Sequence, residues 1–179
     1  MKIELCENAQ EIRKQFHERY VLSWDEFLKK KRKEYGFLRW HLYGFDASVL
    51  PHIYLWERVS SNIESSFPEA ISTLKSIDGC VIFMSDDETH CYPGELNFNN
   101  QKTKNFVANA DAKELAELIE KEWFGSYELA EEVLYNPPPI LPQDLYVFDK
   151  SMNWFILFTH EAETVDPTSR YCILHNISK

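Results

Sequence analysis

Two short runs of aromatic and β-branched residues near the C-terminus constrain the fold more than any other feature of this chain. The first run, LYVF, covers 145–148, and the second, WFILFT, covers 154–159. The five residues between them, 149–153, carry turn chemistry, so the two runs are typical of a β-hairpin. A third run, at 171–176, follows an Asp-Pro turn signal. The sequence therefore predicts a C-terminal three-stranded antiparallel meander.

Amphipathic helical patterns in the N-terminal part of the chain can cover the apolar face of such a sheet. Apolar residues recur every four positions over 9–20 and predict a first helix, with capping-box spacing that starts at Asn8. The same spacing recurs at Ser23, where we expect a second helix to begin, and Gly36 is expected to end it. The aromatic segment 37–45 then predicts either a buried strand or a helix-to-loop segment on the core.

The middle of the chain predicts a mixture of helices and strands. The apolar spacing over 51–67 is helical, and Pro68 is typical of the first turn of a further short helix. The continuous apolar run 80–84 predicts a buried strand. Another helix is expected to begin at Asp111, to break at Gly125 and to be followed by one more helix before a proline-rich connector.

Together these patterns predict a single α+β domain over 1–179, in which helices from the N-terminal half and from 111–135 pack on one side of an antiparallel sheet. A chain of 179 residues can bury a core without disulfide or metal staples. No apolar leader follows Met1, and no apolar run is long enough to span a bilayer, so we expect a cytoplasmic protein that does not bind membranes. The four cysteines lack C-x-x-C spacing and are expected to be reduced thiols: Cys6, Cys80, Cys91 and Cys172.

Charge is distributed unevenly along the chain. Residues 1–39 contain 10 Lys/Arg and 7 Asp/Glu, a net of +3, and 40–179 contain 9 Lys/Arg and 22 Asp/Glu, a net of −13. A segment with this net negative charge is expected to repel nucleic acid and to favour basic partners. The alternative is that the acidic charge mainly keeps the protein soluble. The basic run 29–33 lies on a predicted helix and points in several directions, so most of these cations are expected to be solvated, and a patch that binds nucleic acid is the alternative.

No pattern in the sequence names a reaction. The chain has neither a G-x-S-x-G elbow nor a glycine-rich phosphate loop, so we expect no catalytic residue and no cofactor. His160-Glu161, His175 and the acidic cluster at 86–88 could meet at one sheet edge. However, zinc-ligand spacings such as H-x-x-x-H are absent, and we expect no metal site.

A candidate surface for a protein partner does stand out. Residues 111–135 contain eight acids against two lysines, a net of −6. Aromatic anchors surrounded by carboxylates suit capture of a basic protein, because charge raises the association rate and aromatic burial supplies affinity. Burial of the aromatics at a helix junction is the alternative. The predicted partner-binding residues are Trp123, Tyr127, Glu128, Glu131, Glu132, Asp86, Asp87 and Glu88.

Two segments, FLRWHLYGF and DLYVFDKSMNWFILFTHE, resemble motifs of a family of small, uncharacterised bacterial single-domain proteins. Trp40-His41 and the segment 144–161 carry this resemblance. In size and charge such proteins are similar to immunity proteins that neutralise secreted toxins, including contact-dependent ones. The resemblance therefore implies a role as a binding protein and supplies no catalytic residues.

Two classes of function remain open at this point. The first is an immunity protein that binds a cognate, basic, nuclease-like toxin, such as a contact-dependent growth inhibition toxin, with no turnover. The second is a small cytoplasmic enzyme or ligand-binding domain with a pocket near the C-terminal hairpin, in which His41, His160 and Glu161 supply polar groups.

Overall fold

The computed structural model describes residues 2–42, 54–60, 63–86, 97–98, 101–102, 107–128, 141, 144–162 and 169–177, and the backbone alone at 35–42, 97–98, 101–102, 123–128 and 162. The helices in these residues are α1 (Ala9–Tyr20), α2 (Trp24–Leu42), α3 (Phe67–Ser76) and α4 (Ala112–Glu128), with a 3₁₀ turn at Leu55–Arg58. The strands are β1 (Glu4–Leu5), β2 (Ile63–Ser66), β3 (Cys80–Ser85), β4 (Asn97–Phe98), β5 (Gln101–Lys102), β6 (Val107–Asp111), β7 (Leu145–Phe148), β8 (Phe155–Ala162) and β9 (Arg170–His175).

Seven of the described strands form one antiparallel sheet in the order β1-β6-β3-β7-β8-β9-β2. The remaining two, β4 and β5, form a separate two-stranded sheet. Within the large sheet β7, β8 and β9 are consecutive neighbours, with Leu145 opposite Phe158 and Phe158 opposite Cys172. This confirms the predicted C-terminal meander and the α+β class.

The sheet has helices on both faces. Alternate residues of β7 point in opposite directions, so Leu145 and Val147 join one apolar cluster while Tyr146 and Phe148 join another. The first cluster contains the apolar residues of α3 and α4, and the second contains those of α1. Our prediction that the helices pack on one side was wrong. The continuous apolar runs are the reason, because a strand without polar alternation has two faces to bury.

The turn of the C-terminal hairpin is held by Asp149. Its backbone oxygen accepts a hydrogen bond from the Met152 N–H at 2.9 Å, and its side chain accepts one from the Asn153 N–H at 3.0 Å. Met152 has φ of 53°, the left-handed region, and its side chain is buried against the α1 face. A non-glycine residue in this conformation is uncommon, and here the burial of its side chain offsets part of the cost.

Helices α1 and α2 begin where the sequence predicts, but α2 ends later than predicted. Helix α1 spans the predicted residues, although the Asn8 side chain makes no capping hydrogen bond. The Ser23 cap is confirmed, because its hydroxyl accepts from the Glu26 N–H at 3.3 Å and its own N–H donates to the Glu26 carboxylate at 3.0 Å. Gly36 does not end α2, which continues to Leu42. A single glycine costs a helix interior only about 1 kcal/mol and does not by itself stop it.

In the middle of the chain one helix prediction was wrong. Ile63–Ser66 is a strand, not a continuation of a helix, because it pairs with β9 at the edge of the sheet. The helix opened by Pro68 is confirmed as α3, and the run beginning at Cys80 is confirmed as β3. Asp111 caps α4 as expected, by accepting from two backbone N–H groups, but α4 passes through Gly125 without a break.

Among the described residues, no helix combines the length and the apolar character needed to cross a bilayer.

Candidate functional site

Polar side chains converge where three adjacent strands of the sheet end. In the antiparallel order β3-β7-β8, the C-terminal ends of β3 and β8 lie beside the start of β7, since Ser85 and Phe158 both pair with Leu145. Asp86 follows β3, Asp144 precedes β7, and His160 lies in the last part of β8. We call the group Asp86, Asp144, Tyr146, His160 and Tyr54 the strand-end cluster.

Asp86, directly after β3, is a buried carboxylate whose two oxygens are both bonded. Oδ1 accepts from the Leu55 N–H at 3.3 Å, and Oδ2 accepts from the Tyr146 hydroxyl at 3.2 Å. The Leu55 bond ties the 3₁₀ turn to the end of β3, and the Leu55 side chain is buried in the α1-side core. Asp86 therefore positions a surface turn from beneath.

Arg13 of α1 fixes the backbone at the same place. Its guanidinium donates to the Ser85 oxygen through Nη1 and Nη2, both at 2.9 Å, and to the Asp86 oxygen at 3.1 Å. Arg13 is buried, and its charge thus lies beside the carboxylate-rich end of the sheet. The planar fork of arginine suits this pair of adjacent carbonyls.

Asp144 and His160 form the central pair of the cluster. Each oxygen of the Asp144 carboxylate lies 2.9 Å from His160 Nδ1. The Asp144 Oδ1 also accepts a hydrogen bond from the His160 backbone N–H at 2.8 Å. Asp144 is buried, while His160 is half-buried. With its Nδ1–H donated to the carboxylate, a neutral His160 presents Nε2 as an acceptor.

The charge state of His160 is set by this pair. Hydrogen bonding to Asp144 raises the pKa of His160 above its ordinary value of 6.5, against the lowering effect of burial. Glu161 adds to the rise, and its Oε1 lies 3.4 Å from His160 Nε2. These interactions favour the protonated imidazole, which lies between the two carboxylates.

The adjacent positions of His160 and Glu161 depend on a local irregularity. In a regular strand, neighbouring side chains point to opposite faces, which is what the sequence predicts for this pair. The register between β8 and β9 shifts between Phe158 and Ala162. Such bulges redirect side chains, and here the His160 and Glu161 groups come within 3.4 Å of each other.

Tyr54 lies over this pair at the start of the 3₁₀ turn. Its ring meets the His160 ring edge-on, with centroids 4.7 Å apart. Burial raises the pKa of Tyr54, and so do the nearby carboxylates of Asp144, Glu161, Asp86 and Glu57. The Glu57 carboxylate also accepts from the Tyr54 N–H at 2.9 Å and thereby caps the turn. Tyr54 thus occupies a strongly negative environment.

The aromatic contacts continue from Tyr54 towards the sheet edge. Its ring stacks on Trp56, with centroids 6.0 Å apart and planes 13° apart, and Trp56 meets Tyr171 of β9 at 5.9 Å. Burial and the nearby Glu64 carboxylate raise the pKa of Tyr171. We call His160, Tyr54, Trp56 and Tyr171 the aromatic row. All four residues are half-buried.

The sequence-predicted partner-binding residues are only partly brought together. Asp86 lies buried in the strand-end cluster, whereas Asp87 and Glu88 lie outside the described residues. Trp123, Tyr127 and Glu128 belong to the last turns of α4, where their side chains lie outside the description. Glu131 and Glu132 also lie outside it. Of the acids on the described part of α4, Glu114 and Glu117 are exposed.

The histidines considered as metal ligands do not meet. His160 lies near the C-terminal end of β8, while His175 ends β9 and so lies at the opposite end of the antiparallel pair, stacked on Phe155 with centroids 4.9 Å apart. Within the described ranges, no three His, Cys, Asp or Glu side chains are grouped as a metal ion requires. Cys6, Cys80 and Cys172 are free thiols, and Cys91 lies outside the described residues.

Sequence reasoning missed several members of the site. In the sequence, Tyr54, Trp56 and Tyr171 stand out only as parts of helical or strand patterns, and Asp144 was not predicted as a site residue at all. A signal for Asp144 existed, because the predicted hairpin places the residue before β7 beside the C-terminal part of β8. No comparable signal links Tyr54 to His160, which are brought together by tertiary packing.

No protein-family model, no curated protein and no solved structure matches this chain.

Proposed function

We propose that the chain is an immunity protein. It binds a cognate, basic, nuclease-like bacterial toxin, such as a toxin of contact-dependent growth inhibition, and neutralises it without catalysis of its own. The observation that carries the proposal is the net charge of −13 on residues 40–179, within a chain whose total is −10. A basic enzyme that acts on nucleic acid presents the complementary charge.

The described part of α4 supports this proposal. Residues 111–122 contain five acids and two lysines. Lys113 pairs with Asp78 at 2.7 Å, and a neighbouring lysine of α3, Lys75, pairs with Glu120 at 2.7 Å. Over residues 111–122 the net charge is −3, from five acids and two lysines, and Glu114 and Glu117 are exposed. Such a face accelerates encounter with a basic protein.

Neutralisation then needs only occupation of the toxin's active site or of its substrate-binding surface. Carboxylates that take the place of substrate phosphates serve this purpose, since they bind the same cationic groups. The proposal implies a stoichiometric complex with slow dissociation. Affinity in such complexes comes mainly from buried anchors, while exposed charges set the association rate.

The direct test is protection. Cells that express the toxin domain encoded beside this gene are compared with and without the chain, and we expect survival only with it. Reversal of Glu128, Glu131 and Glu132 together to lysine should slow association at low salt, and added salt should slow the association of the unmodified chain. Absence of protection contradicts the proposal. So does turnover of a small-molecule substrate by the purified chain at about one per second or faster.

One observation favours the second class of function. The Asp144–His160 pair resembles the orienting acid and imidazole of general acid–base sites, and it lies at the end of the C-terminal hairpin. A small enzyme or ligand-binding domain would use this pair with Glu161. Asp144→Asn separates the two classes, because loss of the orienting carboxylate should abolish turnover in an enzyme, whereas Asp144 is buried and toxin protection without catalysis should be unchanged.

A further inference from the structure

The aromatic row is a continuous series of ring contacts on the α1 side of the sheet. It begins at His160, within the irregular part of β8, passes over the 3₁₀ turn and ends at Tyr171, whose strand neighbours the edge strand β2. Consecutive rings contact each other at 4.7, 6.0 and 5.9 Å between centroids. Tyrosine and tryptophan offer large contact areas with few rotatable bonds, and they are among the side chains most enriched at binding hot spots.

The row is rigid because its supports are buried. Leu55 and Val59, on either side of Trp56, are buried in the α1-side core. Asp86 holds the Leu55 N–H, and the Ser60 N–H donates to the Tyr20 oxygen at 2.8 Å. Rings held in this way lose little freedom when a partner binds, which is the physical basis of preorganised affinity.

Carboxylates border the row along its length. Glu161 is exposed next to His160, and Glu64 of β2 is exposed next to Tyr171. Glu57 lies between them at the 3₁₀ turn, and buried Asp86 and Asp144 lie below Tyr54. The guanidinium of the neighbouring Arg58 lies 4.0 Å from the centroid of the Trp24 ring and donates to the Leu22 oxygen.

We propose that the aromatic row is the surface that binds an arginine-bearing segment of a basic protein partner. Guanidinium planes stack on the rings of Tyr54, Trp56 and Tyr171 and pair with the flanking carboxylates of Glu161 and Glu64. The identity of the partner rests on the proposed function. The recognition chemistry and the binding face are inferred from the aromatic row itself. This face lies across the sheet from the α4 acids.

Arginine fits this surface better than lysine for a geometric reason. Its planar guanidinium stacks on an aromatic face and still directs N–H groups sideways to a carboxylate, whereas an ammonium is a compact and strongly hydrated charge. Aromatic rings bordered by carboxylates supply both contacts at once. The row should therefore distinguish an arginine peptide from a lysine peptide of equal charge.

The test uses two octapeptides, one made only of arginine and one only of lysine, each acetylated and amidated, as probes of the intact chain. We expect the arginine peptide to bind at least about fivefold more tightly, and the Trp56 indole and Tyr54 ring signals to shift in NMR spectra. The variant Glu64→Lys with Glu161→Lys changes two exposed side chains and raises the net charge from −10 to −6. It should weaken binding of the arginine peptide by a factor of about ten.

A matched variant controls for net charge. Glu11→Lys with Glu18→Lys makes the same change on the solvent-exposed face of α1 and should weaken binding less than about threefold. Trp56→Leu, checked for folding by circular dichroism, should weaken binding as the first variant does. Equal weakening by the two charge variants, equal binding of the two peptides, or shifts confined to other residues would each overturn the proposal.

The same variants separate this inference from the proposed function. If the Glu64/Glu161 variant still protects cells from the toxin as well as the unmodified chain does, the row is not the interface although the function stands. If the arginine peptide binds at the row but the chain gives no protection, the immunity function is wrong and the arginine-binding surface remains.

Discussion

The carboxylate of Asp144 holds His160 both by its backbone N–H, at 2.8 Å, and by its imidazole Nδ1, at 2.9 Å. The two residues are 16 positions apart in sequence, and the hairpin brings them together because Leu145 pairs with Phe158. One buried side chain thus ties the end of β8 to the start of β7 and also fixes the ring orientation and charge preference of a half-buried histidine.

Asp144→Asn should lower the pKa of His160. The asparagine oxygen can still accept a hydrogen bond but has no charge, so the hydrogen bond that raises the pKa becomes weaker and the attraction of the carboxylate is lost, while the pair keeps its shape. NMR titration of the imidazole signals measures the change directly. A His160 pKa that is the same in both proteins would show that Asp144 does not control the histidine.

The same variant has a pH-dependent effect on stability. Because the folded-state pKa of His160 lies above its unfolded value near 6.5, the stability from its protonation is fully present below pH 6.5 and is lost as pH rises through the folded pKa. The unmodified chain should therefore have a larger free energy of unfolding than Asp144→Asn. The difference should be greatest near pH 6.5 and should shrink as pH rises through the folded pKa. Urea titrations at several pH values test this, and a difference that grows with rising pH would contradict it.

Local patterns allowed much of the fold to be predicted. The meander was predictable because its strands are sequential and their aromatic runs are separated by turn residues, and α1 was predictable from four-residue apolar spacing. The strand Ile63–Ser66 could not be predicted, because three of its four residues are polar and its conformation depends on pairing with β9, more than 100 positions away. Gly36 and Gly125 were predicted to end helices. A glycine ends a helix only where the following residues adopt a non-helical conformation, and in both places they remain helical.

The candidate site was less predictable than the fold. Asp144 and His160 meet through a local hairpin, so their proximity was within reach of sequence reasoning. Asp86 and Tyr146 meet only because β3 pairs with β7, and no short-range pattern encodes that pairing. The ring contacts of Tyr54 with His160 depend on the docking of the 3₁₀ turn onto the core, which is a property of the packed chain.

Arg13→Met should strongly destabilise the chain. The buried guanidinium donates to two backbone oxygens at the end of β3, and methionine keeps the apolar stem but leaves both oxygens without this donor. Each buried group left unsatisfied costs about 1–3 kcal/mol, so we expect a loss of about 3 kcal/mol in the free energy of unfolding. Urea denaturation provides the measurement.

A second arginine of α1 is the matched control for this substitution. Arg19 also bonds a distant backbone oxygen, that of Ser151 at 3.0 Å, but it is exposed. Water can replace its hydrogen bonds, so Arg19→Met should change stability by less than about 1 kcal/mol. Equal effects of the two substitutions would mean that the burial of Arg13 does not increase its contribution to the free energy of unfolding.

The cysteines should differ in reactivity with alkylating reagents. Burial raises the pKa of Cys172 to about 12, whereas Cys80 is exposed. At a pH of about 7.5 a thiol with such a pKa is a thiolate in only about one molecule in thirty thousand. We expect iodoacetamide to label Cys80 in the folded chain and Cys172 only under denaturing conditions, as read by peptide mass spectrometry. Labelling of both at similar rates in buffer would contradict the buried position of Cys172.

His175 should make the chain sensitive to acid, with a sign opposite to that of His160. Burial lowers the pKa of His175, and the nearby charge of Arg19 lowers it further. The unfolded chain therefore takes up this proton first, and stability falls as pH drops below about 6.5 towards the folded pKa. His175→Phe retains a ring stacked on Phe155 and cannot be protonated. It should reduce the loss of stability between pH 7 and pH 5 in urea titrations.

His160→Gln provides the opposing comparison for His175→Phe. Removal of His160 takes away a group that stabilises the fold when protonated, so the acid-side loss should become larger. The double variant should then lose stability to an extent between those of the two single variants over this range. If His175→Phe instead increases the loss of stability on acidification, the folded chain does not hold the imidazole in its neutral form. The packing of the ring against Phe155 and Tyr20 would then not disfavour its protonation.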